Sequence, residues 1–117
     1  MRYVDGKGII TDVETGLVWQ KDHAGPMSWQ EAIDYAHKLS LAGYNDWRLP
    51  TVGELFALID LSKCNPATDF PEMPSEWFWS SSSYAPFSAY AWYVNFNYGY
   101  VFDVDKSNDY YVRCVRG

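Results

Sequence analysis

The chain has 117 residues, of which 48% are hydrophobic, and this is enough to build the core of one domain. Its net charge of -6 and its 9 Lys and Arg residues, which form no dense run, argue against nucleic acid as a partner. No apolar run approaches the roughly 20 residues that span a bilayer, and the first residues lack the apolar segment of a signal peptide. We therefore expect a single domain over residues 1–117, without membrane insertion.

Aromatic residues are abundant and unevenly placed. They make up 19% of the chain, and seven of the 10 tyrosines lie at or after Tyr84. The core needs some of these rings, but the C-terminal excess indicates a second role for the others. This asymmetry is the first indication of function.

The two cysteines, Cys64 and Cys114, are 50 positions apart, and this spacing excludes the CxxC motifs of redox and zinc sites. A single long-range disulfide is one possibility. In a reducing compartment we expect both thiols to be buried. The compartment itself stays open at this point.

The N-terminal part predicts a hairpin followed by a helix. Residues 8–11 and 17–20 are expected to form two strands around a turn that contains Gly16. Ser28 and Glu31 have the S-x-x-E spacing of a capping box, which predicts that a helix begins at Trp29. Apolar residues then recur with the period of a helix as far as residue 39, and Gly43 is the expected C-terminal stop.

A second capping box, formed by Thr51 and Glu54, predicts a short helix with an apolar face that includes Leu55, Leu58 and Ile59. Residues 60–76 contain three prolines and little apolar periodicity. They are expected to form an ordered but irregular loop.

The last third of the chain has the period of a β-strand. Trp92, Val94 and Phe96 alternate with Tyr93 and Asn95, and a second alternating run follows a turn at residues 97–99. This pattern predicts a β-hairpin. Residues 111–115 are expected to form a closing strand, and a strand near residues 78–80 is expected to join the same sheet. The predicted class is α+β, with two helices packed on a small twisted antiparallel sheet.

Five segments in order carry a resemblance to a known family. They are DVETGLVWQ (12–20), DWRLPT (46–51), WSS (79–81), AWYVNF (91–96) with Gly99, and YVRCVR (111–116). Together they resemble the Lcl C-terminal-domain family, which is named for a bacterial collagen-like adhesin. Its members are similar to the formylglycine-generating-enzyme branch of the C-type lectin fold. The resemblance implies a C-type lectin-like domain and favours an extracellular or cell-surface location.

Two further likenesses bear on activity. The turn at residues 48–51 and the ending at 113–115 resemble the formylglycine-generating enzymes, whose chemistry rests on two nearby cysteines ahead of the closing strand. No cysteine lies between Cys64 and Cys114, so the resemblance implies a scaffold without catalytic thiols.

The tail also resembles variable proteins of diversity-generating retroelements. Residues 84–111 consist largely of residue types that mutated Asn codons encode, set among framework residues such as Trp92, Val94 and Gly99.

The alternation predicts a ligand-binding surface opposite a core face formed by Trp92, Val94, Phe96 and Val101. We expect this surface to contain Tyr84, Tyr90, Tyr93, Asn95, Tyr98, Tyr100, Phe102, Asp103, Asp105, Asn108 and Tyr110, with Phe87 as an extension. Tyr and Asn combine rigid amphipathic area with adaptable hydrogen bonds. The alternative is that half of these rings fold back as a minor core, since strands favour aromatic residues. Substantial exposure of Tyr98, Tyr100 and Phe102 would favour the binding surface.

Other candidate groups are assigned structural roles. Arg48 and Arg113 are expected to form structural ion pairs, with Glu54 as the candidate partner. Trp77 is the least constrained candidate for stacking on a sugar. The separation of the two histidines argues against a metal pair, and the carboxylates at 103, 105 and 109 lack an EF-hand pattern. We expect no metal and no cofactor.

The leading functional hypothesis is a non-catalytic recognition module that acts in adhesion, attachment or diversified binding. Its ligand would be a protein or a glycan on a cell surface. One alternative is an enzyme of the formylglycine-generating, sulfatase-modifying type. Another is a structural domain of a larger surface assembly.

Overall fold

A computed structural model describes residues 2–71, 73–83 and 89–117. Along these residues the chain forms nine strands and two helices. In chain order they are β1 (Tyr3–Gly6), β2 (Ile9–Asp12), β3 (Val18–Gln20), β4 (Ala24–Met27), α1 (Trp29–Lys38), α2 (Val52–Phe56), β5 (Trp77–Ser83), β6 (Tyr90–Asn95), β7 (Tyr100–Asp105), β8 (Tyr110–Val112) and β9 (Val115–Arg116).

The strands form two sheets, and this corrects the expected single antiparallel sheet. One sheet has four strands in the order β1-β2-β3-β9, and the other has five in the order β4-β8-β5-β6-β7. The four-stranded sheet is antiparallel, whereas β5 and β8 of the five-stranded sheet run parallel. The α+β class and the two predicted hairpins are confirmed.

The closing strand predicted over residues 111–115 is divided between the two sheets. β8 lies in the five-stranded sheet and β9 in the four-stranded one, because Arg113 and Cys114 turn into the interior between them. The backbone N–H of Cys114 donates to Gln20 Oε1 (3.1 Å), and Gln20 N–H donates to the Cys114 carbonyl (2.9 Å). These two hydrogen bonds hold the chain where it crosses from one sheet to the other.

The guanidinium of Arg113 lies in the core beside two rings. Its Cζ is 4.7 Å from the ring centroid of Phe70 and 5.8 Å from that of Phe78, which is cation–π geometry. It also donates hydrogen bonds to the carbonyls of Gln20 (3.0 Å) and Lys21. Arg113 is therefore structural, as expected, although these contacts are with rings and carbonyls rather than with a carboxylate.

Both helices begin where the capping boxes predict. Ser28 Oγ accepts from Glu31 N–H while Glu31 Oε1 accepts from Ser28 N–H, and Thr51 and Glu54 repeat the arrangement. α1 ends at Lys38, with Leu39 in an extended conformation as its C-cap, so the expected stop at Gly43 is wrong. α2 is likewise shorter than its apolar pattern, because the backbone turns after Phe56.

Two hydrophobic clusters cover opposite faces of the five-stranded sheet. The first lies between the sheets and includes Trp19, Phe78, Val94 and Phe96, with α2 contributing Leu55. The second lies under α1 and contains Ala32, Ala36, Trp47, Leu49, Trp79, Ala91, Val112 and Cys114. Strand parity decides which cluster a residue joins, because successive side chains of a strand point to opposite faces.

Three further expectations concern an ion pair, the cysteines and the helices. Arg48 and Glu54 form a bidentate ion pair (2.7 and 2.8 Å), as predicted. Both cysteines are free thiols, and Cys64 is exposed rather than buried because its loop runs over the surface. Among the described residues, neither helix is long and apolar enough to cross a membrane.

The turn between β6 and β7 depends on Gly99. Its N–H donates to the Asn95 carbonyl (2.8 Å), and its φ of +86° lies in the left-handed region. A Cβ at this position would lie 3.1 Å from Ile59 Cγ2. The hairpin tip therefore packs closely on the loop that follows α2.

We predict that Gly99→Ala lowers the free energy of unfolding by about 1–3 kcal/mol, because the new side chain meets both the strained φ and the contact with Ile59. Gly53→Ala is the matched control, since Gly53 lies in α2 and a Cβ there meets no atom within 4 Å. That control should be neutral or stabilising by up to about 1 kcal/mol. Chemical denaturation measures both, and equal effects would contradict the description of the turn.

Candidate ligand-binding surface

The pairing of β6 with β7 determines which side chains share a face. Tyr93 pairs with Phe102 and Asn95 pairs with Tyr100, so these four side chains point to the same side of the sheet. On the neighbouring strand, Trp77 pairs with Asn95 and therefore also points to this side. Four residues of the predicted binding set, Tyr93, Asn95, Tyr100 and Phe102, therefore lie together on this face.

Three members of the predicted set lie on the opposite face. Asp103 pairs with Trp92, and Asp105 pairs with Tyr90, which places all four on the side of the first cluster. The expectation that Tyr90, Asp103 and Asp105 line the same surface as Tyr93 is therefore wrong. The physical reason is parity, since positions 103 and 105 share the orientation of Val101, the residue assigned to the hidden face.

The remaining members of the set are placed as follows. Asn108 lies in the turn after β7, where its side-chain amide donates to the Asp105 carbonyl (3.0 Å). Tyr110 joins the face of Tyr93, with ring centroids 5.0 Å apart. Tyr84 and Phe87 lie outside the described residues.

Six rings on this face form one contiguous surface, which we call the ring platform. Its members are Trp77, Tyr93, Tyr98, Tyr100, Phe102 and Tyr110. From the hairpin turn into β7, the centroids of Tyr98 and Tyr100 are 6.0 Å apart, as are those of Tyr100 and Phe102. Phe102 lies 6.3 Å from Tyr93, and Tyr110 lies 5.2 Å from Trp77. Each ring is therefore within aromatic contact distance of the next.

The outer members of the ring platform are open to solvent. The exposed fractions are 57% for Tyr98, 54% for Tyr100, 52% for Phe102 and 40% for Trp77. The expectation that the first three keep substantial exposure is confirmed. Val94 and Phe96 of the hidden set are fully buried, while Trp92 and Val101 are half-buried.

The inner rings, Tyr93 and Tyr110, are half-buried and join the platform to the core. Burial raises the pKa of both phenols, and the negative charge of Asp103 adds to the effect at Tyr93. Tyr110 also packs on the fully buried Trp79 (5.0 Å), whose indole N–H donates to the Met27 carbonyl (2.9 Å). The exposed rings thus rest on a fixed base.

The position of α1 explains why these rings are uncovered. The helix packs on β4, β5 and β8, where Trp79 and Val112 lie beneath it. β7 is the outermost strand of the sheet, two strands beyond β5. At the far end of β7, however, Trp29 N–H donates to the Lys106 carbonyl (3.1 Å) and Val104 joins the cluster under α1, so Phe102 and Tyr100 continue the apolar face along the strand past the end of the helix layer.

The sequence indicates Trp77 only as an isolated candidate for stacking on a sugar. The structure places its ring 5.7 Å from Tyr93 and within the ring platform. Trp77 and Trp79 flank Phe78, a pattern that puts both indoles on one side of a strand. The alternation of Trp77 and Trp79 with Phe78 is the sequence signal that places Trp77 on the same face as Tyr93 and Tyr110.

The described polar groups near the ring platform have structural roles and form no arrangement typical of a catalytic site. Asn95 Oδ1 accepts from Asn97 N–H (2.8 Å) and so stabilises the hairpin turn. His23 lies on the other face against Tyr111 (5.5 Å), and burial together with the charge of Arg113 lowers its pKa. Across the described parts of the chain, no three His, Cys, Asp or Glu side chains are grouped to hold a metal ion.

The fold and the surface define a small α+β domain that exposes a contiguous aromatic face. The chain belongs to the family described as the Lcl C-terminal domain, whose model matches residues 8–116. All five segments that carried the resemblance fall within this range. A comparison with curated proteins finds no match.

A matched pair of substitutions on β5 tests the division between platform and core. Trp79→Ala should lower the free energy of unfolding by about 3–5 kcal/mol, because it empties a fully buried site. Trp77→Ala should cost only about 1 kcal/mol, since it loses partly exposed ring contacts. Denaturant unfolding measures both. Equal losses would show that Trp77 is a core residue and not a surface one.

Proposed function

We propose that this domain is a non-catalytic ligand-recognition module with a C-type lectin-like fold, and that the ring platform is its binding surface. The observation that carries the proposal is the row of touching rings, four of which are at least 40% exposed. A contiguous aromatic patch on the surface of a small domain is typical of an interaction site. The proposed ligand is a protein or a glycan.

The residue types of the ring platform suit recognition. Tyr and Trp have few side-chain torsions to restrict on binding, and each joins an apolar ring to a polar atom. The base formed by Tyr93, Tyr110 and Trp79 orders the rings before the ligand arrives, which lowers the entropic cost of binding. The net charge of -6 argues against a polyanionic ligand.

The non-catalytic part of the proposal is supported by the state of the thiols. Burial raises the pKa of Cys114 to about 12, so at neutral pH it is a protonated thiol and a poor nucleophile. Cys64 is an exposed thiol in the loop that packs on the hairpin tip, where Asn65 N–H donates to the Asn97 carbonyl (2.7 Å). The alternatives of an enzyme and of a structural domain in a larger assembly have no comparable support.

A finer proposal concerns location and variation. We propose a cell-surface role in adhesion or attachment, with a platform open to diversification. Tyr98, Tyr100 and Phe102 project from a framework held by Val94 and Phe96, so replacing them leaves the core intact. Sequencing this locus in independent isolates tests the idea. Changes concentrated at the three exposed rings support it, and changes spread evenly over the hairpin count against it.

We expect arrays of immobilised glycans and cell-surface proteins to yield a partner for the wild-type domain. A variant in which Tyr98, Tyr100 and Phe102 are all replaced by Ala should bind that partner at least about 30-fold more weakly, the loss expected of a binding hot spot. Surface plasmon resonance measures the affinity, and circular dichroism confirms the fold.

Tyr44→Ala is the control, because Tyr44 is an exposed ring that packs under Arg116 (3.7 Å) and not in the ring platform. It should bind like the wild type. Cys64→Ser should also leave binding unchanged, because it removes the thiol without adding bulk beside the hairpin tip, and a loss would favour the enzyme alternative. Undiminished affinity of the triple variant would refute the platform as the binding surface.

A further inference from the structure

β7 forms an edge of the five-stranded sheet. It pairs with β6 along all six of its residues, from Tyr100 to Asp105, without a register shift. Within the described residues, no other strand pairs with it. One side of this strand therefore presents a row of main-chain groups.

The main-chain groups on that side are identified by the bonds of β6. Phe96 N–H donates to the Glu76 carbonyl (3.0 Å), and the Trp92 carbonyl accepts from Ser80 Oγ (2.7 Å). The main-chain N–H and C=O groups of the even-numbered residues in β6 therefore point towards β5. The odd-numbered residues of β6 consequently bond to β7 through Tyr100, Phe102 and Val104. The N–H and C=O groups of Val101 and Asp103 point away from the sheet.

β7 carries only one of the usual protections of an edge strand. Natural edges are blocked by charged side chains, by Pro or by a bulge, and the sequence from Tyr100 to Asp105 has two carboxylates but no Pro and pairs without a bulge, so it repels an acidic strand and not a basic one. The charges that it carries are the carboxylates of Asp103 and Asp105, which lie on one face. Phe102 and Tyr100 lie on the other.

The negative charge beside the edge is not neutralised by the next cation along the chain. Lys106 Nζ bonds to Ser83 Oγ (3.0 Å) and lies 3.9 Å from the ring centroid of Trp29. Ser107 N–H donates to Asp105 Oδ1 (2.9 Å), and this bond lowers the pKa of Asp105. Asp105 therefore stays ionised at neutral pH.

We propose that the outer edge of β7 binds an extended, basic segment of a partner protein by strand addition. The segment hydrogen-bonds to Val101 and Asp103, places alternate Lys or Arg side chains beside Asp103 and Asp105, and places apolar side chains beside Tyr100 and Phe102. The proposal rests on the proposed function, because those two rings belong to the ring platform. A second copy of this chain is the poorer occupant, since its own carboxylates repel these two.

The probe is an acetylated and amidated octapeptide of alternating Lys and Val. Binding should slow the hydrogen exchange of the Val101 and Asp103 amides, which NMR follows residue by residue. Two further peptides carry N-methyl groups on every Lys amide or on every Val amide. Because a strand turns only one of these sets towards β7, one isomer should bind at least about tenfold more weakly and the other should bind like the parent peptide.

A pair of protein variants tests the main-chain hydrogen bond that the Asp103 N–H donates to the peptide. Asp103→Ala and Asp103→Pro both remove the carboxylate, but only Pro removes the outward N–H. Pro is tolerated at such an edge position, and thermal unfolding checks the fold. Asp103→Pro should bind the peptide at least about fivefold more weakly than Asp103→Ala. If it fails to fold, the two N-methyl isomers on the wild-type protein decide.

Three results would overturn the proposal: unchanged exchange of the two amides, equal binding of both N-methyl isomers, or equal binding of a peptide in which Glu replaces Lys. If the peptide binds Asp103→Pro and Asp103→Ala equally, while the partner found on the arrays loses affinity in the triple ring variant, the ring platform is retained and strand addition is rejected. If the peptide distinguishes the two Asp103 variants, while the array partner binds the triple ring variant undiminished, the edge is retained and the platform is rejected.

Discussion

The candidate surface exists because α1 covers only part of one sheet face. The helix has 10 residues and is about 15 Å long, and its main packing is on β4, β5 and β8. Beneath it, the inward-facing residues Trp79 and Val112 are core. Beyond it, residues with the same strand parity, Tyr100 and Phe102, are exposed. A single apolar face thus changes from core to surface where its cover ends.

The other face of the sheet makes this arrangement possible. Phe78, Val94 and Phe96 pack between the two sheets, and Arg113 is held beside Phe78 where the chain passes from β8 to β9. The hairpin therefore derives its stability from the side away from the ring platform. The exposed side chains of the platform are therefore available to contact a ligand, and the outer edge of β7 adds main-chain groups to the same region.

The predictable features depended on local signals. Each capping box is written in four residues, so both helix starts were predicted, and alternation in the hairpin predicted the exposure of Tyr98, Tyr100 and Phe102. Residue type alone assigns Asp103 and Asp105 to the wrong face, because strand parity places them with Val101. The division of the closing strand depends on Gln20, which is distant in sequence from Cys114, and no local pattern indicates that pairing. Trp77 was recognisable only from its alternation with Phe78.

Solvent paramagnetic relaxation of the aromatic ring protons, measured with and without a bound partner, tests the central claim most directly. We expect strong relaxation of Tyr98, Tyr100 and Phe102 in the free domain and a marked decrease on binding, with Phe78 and Phe96 shielded throughout. Rings at 98, 100 and 102 that are shielded in the free domain, or that stay fully accessible with the partner bound, would contradict it.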